Sequence, residues 1–106
     1  MSWLTSFLGA PTEAPTHVPS PDQERELVLY GRRSCPYCVR VYRELERLEL
    51  TVELRDTSGG SSHRQVLIQQ TGRSQVPCLF IDGEALFESA DIVAWLRAYK
   101  ARSTES

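Results

Sequence analysis

The sequence predicts an α/β protein: a mixed four-stranded sheet packed by three helices, in the order β-α-β-α-β-β-α. Three observations carry this. The short apolar run at residues 27–30 is followed by apolar residues at helical spacing, Val41, Leu45 and Leu48. Asp82-Gly83 separates two short strand-like segments and marks a hairpin turn. The chain then carries Ile92, Val93, Trp95, Leu96 and Tyr99, a core-facing stripe of a final helix.

Taken in order, residues 27–30 (Leu-Val-Leu-Tyr) read as a buried strand and residues 31–34 as a loop. Pro36 suits a first helical position, where its missing N–H costs nothing. Arg40, Arg43, Glu44, Glu46 and Arg47 supply the solvated face of that helix. Residues 51–55 alternate as a second strand. Residues 58–62 form a serine- and glycine-rich loop with a helix cap, and residues 63–71 a helix stopped by Gly72. Residues 78–81 and 84–87 are the two strands of the hairpin, and Ser89 or Asp91 begins the last helix. A helix joins the first two strands, so these are expected parallel; the last two are antiparallel.

With 106 residues the chain is expected to form one domain. Its net charge of −2 leaves no footprint for nucleic acid or an anionic membrane. No run approaches the ~18 apolar residues of a membrane span, and a secretory signal is not expected. Residues 1–26 hold four of the six prolines, Pro11, Pro15, Pro19 and Pro21, and read as an extended tail or linker. Within them Trp3, Leu4, Phe7 and Leu8 form a short apolar stripe, with Ser2 placed to cap it and Gly9 to end it. It reads as a frayed tail or a turn docked on the protein's own core; a partner or membrane surface is the alternative. The domain proper is expected over residues 27–101, with 102–106 as a tail. Three cysteines make a poor disulfide framework, so a reducing, cytoplasmic setting is expected.

Cys35-Pro-Tyr-Cys38 stands where strand and loop hand over to a helix. A helix start presents unpaired N–H groups and partial positive charge, both of which favour a thiolate. Cys35 is therefore the expected nucleophile, with a lowered pKa. Cys38, one turn further in, is the expected resolving thiol. Arg32 and Arg33 add positive potential. A zinc knuckle would need two further ligands, and Cys78, His17 and His63 stand at unhelpful spacings. A c-type haem site would need His where Val39 stands. An inert buried pair is the remaining alternative, and the helix-start context argues against it.

The segment Tyr30-Gly-Arg-Arg-Ser-Cys-Pro-Tyr-Cys38 resembles the active-site segment of dithiol glutaredoxins, whose motif is C-P-Y-C. Thr71-Gly-Arg-Ser-Gln-Val-Pro77 and Cys78-Leu-Phe-Ile-Asp-Gly83 resemble the same family's T-G-x-x-T-V-P-x-x-F-I-x-G segment, with Gln75 where Thr is usual. The likeness covers about residues 27–101 and implies a thioredoxin-like fold. It also implies a cis bond at Val76–Pro77, with the Val76 backbone pairing the cysteinyl part of glutathione. Phe87-Glu88-Ser89-Ala90-Asp91 departs from the glutaredoxin pattern and is similar to the N-terminal domain of glutathione transferases. There the serine and helix start bind the γ-glutamyl carboxylate, a ready anion site, and an acid, here Glu88 or Asp91, faces the ammonium. Without such a ligand, Ser89 or Asp91 would be an N-cap alone. By the same likeness Arg32 contacts the glycine carboxylate, and Tyr37 and Pro77 join the glutathione-binding residues. Cys78 is expected to be a small core residue.

The resemblance implies a monomeric enzyme that reduces glutathione mixed disulfides and protein disulfides, with glutathione as co-substrate and no metal. Its expected partners are glutathione and glutathionylated or disulfide-containing proteins. The alternatives are a protein disulfide reductase without glutathione selectivity and a carrier of a [2Fe–2S] cluster shared between two subunits. A glutathione transferase is a third class, set aside because the chain lacks the helical domain that binds the electrophile.

Overall fold

Strand β1 (Leu27–Gly31) lies inside a four-stranded sheet of order β2-β1-β3-β4. The structure is a computed structural model and describes residues 17–105. After β1 come α1 (Pro36–Leu48), β2 (Glu53–Asp56), a 3₁₀ turn at Ser58–Gly60, and α2 (Ser62–Thr71). Then follow β3 (Cys78–Ile81), β4 (Glu84–Phe87) and α3 (Ser89–Glu105). β1 pairs parallel with β2 and antiparallel with β3, and β3 pairs antiparallel with β4. This is the expected thioredoxin-like order of elements.

The strands alternate between two faces. Leu29, Leu79, Ile81 and Leu86 pack with Val41 and Leu45 of α1 and with Ile92, Trp95 and Leu96 of α3. Tyr30, Cys78 and Phe80 point to the other face, beneath Leu67 of α2. The hairpin turns at Asp82 (φ 50°) and Gly83 (φ 87°). Two successive positive φ values are what a type I′ connection requires, and Gly83 adopts its value without Cβ strain. Ser61 caps α2, its hydroxyl accepting from the Arg64 N–H at 3.4 Å. Gly72 (φ 80°) ends that helix.

Several boundaries differ from the sequence reading. β2 starts at Glu53 rather than residue 51, because only from there does it pair with Val28. It is an edge strand, and Leu54 is left 56% exposed. α1 ends at Leu48, and Glu49 after it takes φ 56° without a glycine, its N–H donating to the Glu46 carbonyl at 3.1 Å. α3 continues to Glu105 through most of the predicted tail. It begins at Ser89, so the residue before it, Glu88 (φ 74°), supplies the carbonyl that accepts the Ile92 N–H at 3.0 Å.

Two differences concern packing. Glu44, expected on the solvated face, is only 8% exposed. It bonds Arg47 of its own helix, and Arg97 of α3 reaches it at 2.8 Å, clasping the two helices. Residues 18–26, read from their prolines as linker, lie against the domain. Val18 is buried in the core, and the Tyr99 hydroxyl accepts from the Arg25 N–H at 3.2 Å. Arg25 also pairs with Asp82 of the hairpin at 3.1 Å. The stripe at Trp3, Leu4, Phe7 and Leu8 lies outside the described residues.

Candidate active site

Cys35 occupies the position just before α1, in extended conformation (φ −98°, ψ 119°), and Pro36 opens the helix. Its N–H donates to the Arg32 carbonyl at 3.2 Å, closing the loop, and its own carbonyl accepts the Val39 N–H at 3.0 Å. The helix start thus presents its free N–H groups around the Cys35 sulfur.

The two thiols are driven apart. Partial burial opposes ionisation of Cys35, but the Cys38 N–H and thiol, the Tyr37 N–H and the Arg32 guanidinium together bring its pKa below the ordinary thiol value. Cys38 is fully buried, and burial pushes it up to about 11, with the Cys35 sulfur adding to the effect. The surroundings thus favour ionisation of Cys35, while Cys38 keeps its proton at neutral pH. Cys78 is also fully buried, on the α2 face of the sheet, and burial pushes it up to about 12. That surrounding makes it an inert core thiol. All three cysteines are free.

Tyr37, which stands between the two cysteines in sequence, opens onto a groove of about 550 Å³. Tyr37 and Arg40 form its α1 wall, Gln75, Val76 and Pro77 its wall before β3, and Glu88, Ser89 and Ala90 its end at the start of α3. The Val76–Pro77 bond is cis. Tyr37 is 65% exposed, whereas Ser89 is buried. Glu88 is tethered: the Gln75 side-chain amide donates to its Oε2 at 3.4 Å, and Arg73 donates to the Gln75 Oε1 at 3.1 Å. Arg73 also lies over the Phe87 ring, 4.4 Å from its centroid.

Five of the residues named from the sequence as glutathione contacts therefore meet in this groove: Tyr37, Val76, Pro77, Glu88 and Ser89. Arg32 does not line it; it is exposed at the Cys35 end and acts there through its charge. Asp91 is exposed in the first turn of α3, also off the groove wall. The sequence reading missed Arg40, Gln75 and Ala90 as lining residues. Arg40 was legible in principle, three residues beyond Tyr37 on one helix face. Gln75 was noted only for the residue it replaces. Among the described residues no cluster of three His, Cys, Asp or Glu side chains has the arrangement of a metal site. No helix among them is long and apolar enough to cross a membrane.

A mixed four-stranded sheet with three helices and a dithiol at the start of the first helix defines a thioredoxin-like domain. The glutaredoxin family model matches residues 27–86, and the chain belongs to the glutaredoxin family. It is 37% identical over 71 residues to Glutaredoxin-C4 of Arabidopsis thaliana, a match covering 64% of this chain and 53% of that protein. The chain thus spans about half the length of that curated relative. Among solved structures, the glutaredoxin of Brucella melitensis superposes with TM-score 0.54 at 27% identity, over 74% of this chain and 85% of that one. A Tau class glutathione S-transferase from mango, Mangifera indica, superposes with TM-score 0.62 at 22% identity, over 72% of this chain and 34% of that one; this likeness is one of fold.

Proposed function

We propose that this chain is a glutathione-dependent thiol–disulfide oxidoreductase, with Cys35 as nucleophile and Cys38 as resolving thiol. The observation that carries the reading is the division of labour within one helical turn. Cys35 is activated at the helix start, two residues before Tyr37 of the groove wall, while Cys38, one turn further in, is buried and held protonated. The Cys35 thiolate attacks the substrate disulfide and expels one thiol, forming a mixed disulfide. Cys38 then attacks the Cys35 sulfur, forming the Cys35–Cys38 disulfide and expelling the bound thiol, or a second glutathione attacks the glutathione sulfur joined to Cys35, leaving as glutathione disulfide and freeing the Cys35 thiolate.

The groove's chemistry suits glutathione. Its γ-glutamyl carboxylate is assigned to Ser89 and the start of α3, where free N–H groups and the helix dipole favour an anion. Glu88, rather than the off-groove Asp91, is assigned to the ammonium, and the Val76 backbone to the cysteinyl unit. The glycine end then runs toward Arg32, with Arg40 adding positive charge to the α1 wall. Glutathionylated and disulfide-bonded proteins are the proposed substrates, of a monomer working in a reducing cytoplasm.

The test is activity on a glutathionylated model disulfide with glutathione as reductant, compared with insulin reduction. Cys35→Ser should abolish both activities. Cys38→Ser should retain deglutathionylation and lose most dithiol reduction. Equal loss in both variants on the glutathionylated substrate would remove the monothiol route. Insulin reduction with no response to glutathione would favour an unselective disulfide reductase. Anaerobic purification with visible cluster absorbance would favour the cluster-carrying alternative.

A further inference from the structure

We propose that the Tyr42 hydroxyl is the hydrogen-bond donor that stabilises the Cys38 thiolate during the resolving step, in the space left open by Gly31. This rests on the reading of Cys38 as the resolving thiol. Cys38 and Tyr42 are four residues apart on α1 and so share one face of the helix. Both reach toward the end of β1. A Cβ built on Gly31 would stand 2.5 Å from the Tyr42 Oη and 3.2 Å from the Cys38 Sγ. The hydroxyl and the sulfur thus border the same small space, and glycine is the residue that keeps it free.

The Tyr42 hydroxyl makes no hydrogen bond among the described residues, the Cys38 thiol included. It is a spare donor beside a buried sulfur that has no need of one until it loses its proton. Burial pushes Tyr42 up to about 12, with the Cys38 and Asp56 charges adding to it, so the phenol keeps its proton at neutral pH and a Cys38 thiolate beside it only strengthens that hold. The groups facing Tyr42 are Cys35 and Cys38 at the start of α1, Arg33 in the preceding loop and Asp56 at the end of β2. Arg55 of β2 shares a groove wall with it.

The step balances without a further redox partner. Cys38 releases its proton to solvent, and its sulfur lone pair attacks the Cys35 sulfur. The Cys35–substrate bond breaks, and the Cys35–Cys38 bond forms. The leaving sulfur departs with the electron pair and takes up a proton, so Cys38 is oxidised and the substrate sulfur reduced. Tyr42 takes part as a donor throughout and is not consumed.

The experiment isolates this step from glutathione. In a Cys78→Ser background Cys35 is loaded with thionitrobenzoate from Ellman's reagent, and release of the coloured thiolate by Cys38 is followed against pH. Tyr42→Phe keeps the ring and removes the hydroxyl. Release should slow about tenfold at neutral pH, the loss expected for a hydrogen bond to a charged group, and the rising limb of its pH profile should move upward by about one unit. Gly31→Ala should reproduce the defect by displacing the hydroxyl. Should that variant fold poorly, Gly31→Ala/Tyr42→Phe removes the tighter contact and should be as slow as Tyr42→Phe alone. An unchanged rate in Tyr42→Phe, or a slower rate with an unmoved limb, would overturn the proposal. Because the probe is not glutathione, that result stands apart from failure of the glutathione reading, which glutathione-dependent turnover reports on its own.

Discussion

The indole N–H of Trp95, in the middle of α3, donates to the Pro19 carbonyl at 2.9 Å. Trp95 is fully buried and Val18, beside the acceptor, is 7% exposed. A segment outside the sheet thus closes one side of the core and satisfies a buried donor.

Two truncations distinguish tail from fold. The chain lacking residues 1–16 gives the reference urea midpoint, since it keeps every described contact of residues 17–26. Removal through Ser20 loses Val18 and the Trp95 acceptor, at a cost on the order of 3 kcal/mol. Thiol activity should survive both where the chain is folded. Equal midpoints for the two truncations would show that the Pro19 contact contributes nothing.

Cys35 should titrate below the ~8.5 of a free thiol when its thiolate absorbance is followed in a Cys38→Ser, Cys78→Ser background. Its folded pKa is depressed, so its contribution to stability is present above the unfolded pKa and lost as pH falls through the folded one. Cys78 acts in the opposite sense. With its folded value near 12, its contribution is full below ~8.5 and lost as pH rises toward 12. The alkaline loss of stability should therefore be smaller in Cys78→Ser.

Arg32→Ala and Ser89→Ala should separate thiol activation from ligand binding. Arg32 is exposed and screened by solvent, so its loss should raise the glutathione requirement by about tenfold at most. It should also raise the Cys35 pKa, since its charge lowers that value. Ser89→Ala removes one neutral hydroxyl and leaves the backbone donors. It should raise the glutathione requirement by less than about tenfold and leave the Cys35 titration alone. If glutathione dependence moves in neither variant, the ligand does not occupy this groove.

Glu44 tests the clasp between α1 and α3. Hydrogen bonds from Arg47 and Arg97 bring its pKa down to about 2, against the cost of burial. Its contribution is therefore present above the unfolded value of about 4.3 and lost as pH falls through 2. Glu44→Gln should cost roughly 1–3 kcal/mol at neutral pH and flatten the acid limb of the stability curve. An acid limb identical to that of the parent protein would show that the two arginines do not hold this carboxylate.

Much of the architecture was legible because its signals are local. Pro36, the Asp82-Gly83 turn and the Gly72 stop act through dihedral preferences of one or two residues, and the periods of α1 and α3 repeat within a few turns. Glu44 was harder. A charged residue on a helix reads as solvated until a second helix is laid beside it, and only the packing of α3 brings Arg97 to Glu44. Likewise Gln75 becomes part of the site only when the β3–β4 hairpin returns Glu88 to within 3.4 Å of it.

The sequence by itself determined the order of the elements and the Cys35–Cys38 pair at a helix start. These follow from backbone conformation and short-range hydrogen bonding, which neighbouring residues dictate; the Val76–Pro77 and Glu88-Ser89 segments were marked by family resemblance alone. Tertiary structure alone decided where residues 18–26 lie, that the Val76 and Glu88 segments meet at one groove, and what stands beside Gly31. Burial and long-range contact depend on residues tens of positions apart, and a desolvated sulfur differs from a solvated one only once the chain has closed around it.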